Sequence, residues 1–103
     1  MRVLITGGAS GIGLATALRL AADAARRDAT ARIALVDVNE AALDAAAQRI
    51  REQGAEVLPL IADLADIEAP GQVVGASVEA FGGLDGLVSN AGINSPGRLL
   101  DLK

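Results

Sequence analysis

The chain has 103 residues, room for one small domain, and 51% of them are hydrophobic, enough to bury a core and to exclude a disordered tail. A net charge of −4 and a pI near 4.6 argue against nucleic acid or an anionic membrane as partner, because either normally needs a basic face. The absence of cysteine and histidine excludes disulfides, thiolate chemistry and the usual zinc sites.

Residues 2–6 form the first expected strand, carrying the apolar run Val3-Leu4-Ile5. That run is too short for a signal-peptide core, and no later stretch approaches the ~18–20 apolar residues of a membrane helix. The expected compartment is the cytoplasm. Residues 11–27 have helical spacing, with Leu14, Leu18, Ala21 and Ala25 recurring every three or four positions. Segment 26–31 is a polar break. Residues 32–37, Arg-Ile-Ala-Leu-Val-Asp, predict a buried strand that ends in an acid. Residues 40–53 predict a helix with Leu43, Ala46, Ala47 and Ile50 on one face, Asn39 as N-cap and Gly54 as stop.

Residues 56–62 predict a third strand, and Pro59 assigns it to a sheet edge because proline cannot donate to a ladder. Residues 70–81 predict a third helix with Val74, Val78 and Phe81 on one side, ended by Gly82-Gly83. Residues 84–89 predict a fourth strand, and Asn90 through Lys103 a loop. Strands alternating with helices imply a parallel sheet covered on both faces, a Rossmann-like doubly wound α/β fold with the order 3-2-1-4, here incomplete.

Within that frame Thr6-Gly7-Gly8-Ala9-Ser10-Gly11-Ile12-Gly13 is a glycine-rich turn between a strand and a helix. Glycines let the chain turn tightly and let a pyrophosphate approach without meeting a Cβ. The helix start offers N–H groups without intrahelical acceptors and the positive end of the dipole. The turn therefore points to a dinucleotide. A purely structural turn is the alternative. With a net charge of −4, the phosphates would rest on backbone N–H groups instead of Lys or Arg.

Asp37 ends the second strand, where a carboxylate can accept from adenosine ribose hydroxyls. It would repel a 2′-phosphate, and neither Val38-Asn39-Glu40 nor Ser10 supplies a positive charge, so NAD is expected over NADP. Gly13 to Asp37 is 37 − 13 = 24 residues, more than the usual ~20. The polar break absorbs the excess. The alternative for Asp37 is a helix-capping or solvated acid. Asp63-Leu64 follow the third strand and would meet adenine, Asp63 at its amino group and Leu64 against the ring. Asp63 is equally an ordinary turn residue. Asn90-Ala91-Gly92 follow the fourth strand, where small residues let a loop pass beside a cofactor. Asn90 would also suit backbone groups between strands.

Together Thr6–Gly13, Asp37, Asp63-Leu64, Gly82-Gly83-Leu84-Asp85 and Ser89-Asn90-Ala91-Gly92 resemble the short-chain dehydrogenase/reductase family. The three residues between Gly7 and Gly11 resemble its short, oxidoreductase-type branch. The resemblance implies backbone contacts to the cofactor from Gly7, Ser10, Ile12 and Gly13 around Gly11. It also implies ribose contact from Asp37, adenine contact from Asp63 and Leu64, and a contact near the nicotinamide ribose from Asn90. Ser89 stands where the family often has Asn.

The family's chemistry uses a Ser, a Tyr and a Lys four residues after the Tyr, all beyond the Asn-Ala-Gly segment. This chain has no tyrosine, and its only lysine is Lys103. The resemblance thus implies the N-terminal, NAD-binding part of an alcohol/carbonyl oxidoreductase, a truncated or excised piece that is inactive alone. An adenine-nucleotide or regulatory module without redox activity is the second reading. A substrate would be bound only in a longer parent, and an open fourth strand would invite a second copy or a completing chain.

Overall fold

The computed structural model describes residues 1–9 and 11–89. Four strands, β1 (Arg2–Thr6), β2 (Arg32–Asp37), β3 (Glu56–Ile61) and β4 (Gly86–Ser89), alternate with three helices, α1 (Gly11–Arg26), α2 (Glu40–Arg51) and α3 (Ala69–Phe81). The strands form one parallel sheet in the order β3-β2-β1-β4. Expected and observed element ends agree to within two residues. β4 is the shorter, because Leu84 packs into the core and Asp85 engages Arg2.

The two central strands explain the fold. Val3, Leu4 and Ile5 of β1 and Ile33, Ala34, Leu35 and Val36 of β2 are all buried. A parallel strand covered on both faces has no polar side, hence the unbroken apolar runs. Alternate residues serve opposite layers. Val3, Ile5, Ile33 and Leu35 pack with Ala17 and Ala21 of α1 and Leu43, Ala46 and Ile50 of α2. Leu4, Ala34 and Val36 pack on the other face with Val73 of α3. Helices on both faces make the sheet doubly wound. Burying one Leu or Ile side chain here stabilises by roughly 1.5–3 kcal/mol.

The second helix keeps its expected N-cap and buried face and ends two residues early, at Arg51. Leu43, Ala46, Ala47 and Ile50 are buried, and Asn39 Oδ1 accepts from the Ala42 N–H at 3.0 Å. Gly54 takes φ 93° in the turn that follows. Pro59 sits on the edge strand β3, opposite Leu35. In α1 the buried positions are Gly13, Ala17 and Ala21, with Leu14 and Leu18 half-buried and Ala25 exposed at the final turn.

The face expected for α3 is corrected. The inward series is Ala69, Val73, Ser77 and the half-buried Phe81, while Val74 and Val78 are 38% and 41% exposed. A steady four-residue step carries this face, and it runs through a serine. Ser77 is tolerated because its hydroxyl donates to Val73 O at 2.7 Å, leaving no orphaned polar group. Hydropathy alone favoured the neighbouring valines. Among the described residues no helix is long and apolar enough to cross a membrane.

Candidate functional site

The C-terminal ends of the strands gather the candidate residues. Strand order reverses between β1 and β4, and in open α/β sheets such a switch point opens a crevice at the carboxyl ends. Thr6 and Ser89 stand side by side there, and the Thr6 hydroxyl donates to Ser89 Oγ at 3.2 Å.

The chain leaves β1 through the glycine-rich turn. Gly7 and Gly11 take φ 63° and 58°, left-handed values that favour glycine. Gly13 is buried for a different reason: a Cβ on it would stand 2.3 Å from Gly7 O. The first turn of α1 is thus laid directly on the turn backbone. Ile12, next to it, is 72% exposed.

Gly8 is a residue that motif spacing passes over. A Cβ there would lie 2.4 Å from Leu35 Cδ1, and Leu35 is fixed in the core. The Gly8 N–H donates to Val36 O at 3.0 Å, tying the turn to β2. Only the doubled glycine in the sequence hinted at this, since the obstacle comes from a side chain far along the chain.

Asp37 lies beside the turn. Its Oδ2 accepts from the Ala9 N–H at 3.0 Å, and its Oδ1 from the Val38 and Asn39 N–H groups at 2.8 and 3.2 Å. The Ala9 bond is a further feature absent from the motif reading. No ion pair among the described residues involves Asp37.

The structure brings Gly7, Gly11, Ile12, Gly13 and Asp37 to one end of the sheet. Asp63 follows the neighbouring edge strand; its Oδ1 accepts from the Ala65 N–H at 2.9 Å, a local turn. Leu64 is half-buried against the layer of Leu4, Val36 and Val73. Ser10, Asn90, Ala91 and Gly92 lie outside the described residues. Among the described residues no cluster of three or more acidic side chains could hold a metal ion.

The family model for short chain dehydrogenases matches residues 1–103. The chain belongs to the short-chain dehydrogenase/reductase family. Levodione reductase of Leifsonia aquatica is 45% identical over 93 residues, covering 88% of this chain and 33% of that protein. An NAD+-bound xylitol dehydrogenase superposes with a TM-score of 0.73 at 40% identity, over 82% of this chain and 30% of the other. L-Sorbose reductase from Gluconobacter frateurii, solved with NADPH and L-sorbose, gives 0.74 at 38% identity, over 87% and 33%.

This short-chain dehydrogenase/reductase chain therefore spans about a third of the length of the relatives it matches. Its four-stranded sheet and three helices are those of the family's Rossmann-like fold. One of the two relatives carries NAD+ and the other NADPH, so kinship alone leaves the nucleotide open.

Proposed function

We propose that residues 1–103 are a single dinucleotide-binding domain that holds the adenosine and pyrophosphate half of NAD(H) for a short-chain alcohol/carbonyl oxidoreductase. The glycine cradle supports this reading. Gly7 and Gly11 adopt glycine conformations, and Gly13 closes the helix onto the turn, which leaves backbone instead of side chains facing an incoming phosphate. Gly7, Ser10, Gly11, Ile12 and Gly13 would hold the pyrophosphate. Asp63 and Leu64 would meet adenine, and Asn90, Ala91 and Gly92 would border the nicotinamide side. When bound, the cofactor supplies the hydride that passes to or from the substrate carbon.

The observation that carries the choice of nucleotide is Asp37. Its carboxylate is held by backbone N–H groups and paired with no cation among the described residues. It is suited to neutral hydroxyl donors and repels a 2′-phosphate. Two charges about 4 Å apart near a protein surface interact by up to ~4 kcal/mol, so even a screened fraction gives at least a tenfold preference.

The chain has no tyrosine to donate a proton to a carbonyl, and binding without turnover is expected of it alone. A second reading, an adenine-nucleotide module without a redox role, draws support from the same assignment, in which the described candidate residues would all serve the adenosine and pyrophosphate side.

Titration calorimetry of the folded chain with NAD, NADP, ADP and AMP tests both. NAD is expected to bind at least about tenfold tighter than NADP, and Asp37→Ala to erase that gap. Equal affinity for AMP and NAD would favour the second reading. Binding of none of the four would overturn both.

A further inference from the structure

The glycine-rich turn carries a left-handed glycine at each end, Gly7 at φ 63° and Gly11 at φ 58°. Two bonds tie the described part of the turn to β2. One is backbone to backbone, Gly8 N–H to Val36 O at 3.0 Å. The other reaches the next residue and depends on a side chain, Ala9 N–H to Asp37 Oδ2 at 3.0 Å.

The carboxylate suits this by its number of acceptor sites. Each oxygen has two lone pairs. Oδ1 is filled by the Val38 and Asn39 N–H groups, which fix the carboxylate plane. Oδ2 takes the Ala9 N–H. An amide cannot replace it. In Asp37→Asn, a side-chain oxygen turned toward Val38 and Asn39 would leave the amide N–H facing the N–H of Ala9. Flipped, the amide would lose two bonds to save one.

We propose that Asp37 is a positioning residue for the phosphate-binding turn as well as a ribose acceptor, and that it acts by holding Ala9 against the end of β2. The proposal rests on the nucleotide-binding reading above and deepens it. Substitutions at Asp37 made to change nucleotide preference would then also weaken the hold on the pyrophosphate, which the carboxylate does not touch.

Ligands without the ribose contact separate the two roles. ADP and 2′,3′-dideoxy-ADP are titrated into the 103-residue chain and into Asp37→Asn, at a temperature where circular dichroism shows both folded. Loss of a charge-assisted hydrogen bond that orders the turn predicts an affinity loss of about tenfold for dideoxy-ADP and a larger loss for ADP. A change in fold stability alone would leave the affinities of the folded molecules equal. Unchanged dideoxy-ADP affinity would overturn the proposal, leaving Asp37 a ribose acceptor only.

The wild-type chain gives a readout that needs neither the variant nor a nucleotide. A scalar coupling across the hydrogen bond, from the Ala9 amide nitrogen to the Asp37 carboxyl carbon, is expected by NMR. Its presence in a chain that binds no nucleotide would keep the tether and sink only the nucleotide reading. Its absence, with other backbone couplings visible, would overturn the tether itself.

Discussion

Both ends of the sheet are closed by an aspartate that accepts backbone N–H groups, and the two differ in their partners. At the N-terminal end Asp85 accepts from the Arg2 N–H at 2.8 Å and pairs with its guanidinium at 3.2 and 3.1 Å. The Asp85 N–H returns a bond to Arg2 O, extending the pairing of β1 and β4. At the C-terminal end Asp37 accepts from three N–H groups and has no cation partner among the described residues. A carboxylate answered by arginine is spent on structure. One held by amides alone is placed while its charge is met by no cation among the described residues. The first end is a clamp, and the second is where the nucleotide site is proposed.

The contrast is broken most severely at glycines. At the C-terminal end a Cβ on Gly13 would stand 2.3 Å from a backbone oxygen that cannot swing aside. At the N-terminal end a Cβ on Gly86 would meet nothing within 4 Å. Gly13→Ala is expected to cost about 3 kcal/mol or more and to abolish nucleotide binding. Gly86→Ala is expected to shift stability by less than ~1 kcal/mol and to leave binding alone. Urea unfolding with calorimetry on both variants checks this, and equal effects would remove the asymmetry.

The same contrast shows how much was legible in the sequence. Chain-order elements, the edge position of Pro59 and the buried face of α2 follow from local pattern, and the structure agrees. The position of the glycine-rich turn between β1 and α1, and of Asp37 at the end of β2, was legible from local pattern. Gly8 was not, since its need arises from Leu35 beneath it. The Ala9–Asp37 bond joins residues 28 apart through a backbone group that has no sequence identity. The phase of α3 was missed because Ser77 occupies a buried place by bonding to its own helix. Each miss depends on a neighbour that folding supplies.

The clamp has its own signature in acid. The Arg2 guanidinium and N–H hold the Asp85 carboxyl down from 3.8 to about 2. A carboxyl whose folded pKa is depressed adds stability that is complete above its unfolded value and is lost as pH falls through the folded one. The Asp85 contribution is therefore present above pH 3.8 and disappears toward pH 2. Asp85→Asn is expected to flatten the acid limb of the stability curve in that window while leaving nucleotide affinity at neutral pH unchanged. Chemical denaturation across the window, wild type against variant, measures it. An unchanged acid limb would mean the clamp is not responsible.

The smallest effect lies in the connection that leads back to the clamp end. Helix α1 stops without a glycine: Asp28 takes φ 56°, and the Ala29 N–H donates to Ala24 O at 2.8 Å. A left-handed residue with its following N–H bonded back to the last turn is a place where glycine is at ease and a Cβ is strained. Asp28 also puts a negative charge near the negative end of the helix dipole. Asp28→Gly relieves both, offset by the greater freedom glycine has when unfolded. The net gain expected is about 0.5 kcal/mol, read as a small rise in the urea midpoint at constant slope. Nucleotide affinity is expected to stay the same, because the strained residue lies at the clamp end, whereas Gly7 and Gly11 of the glycine-rich turn already are glycines. A gain in affinity with Asp28→Gly would show that the two ends are coupled through α1, and the division between clamp and proposed nucleotide site would have to be given up.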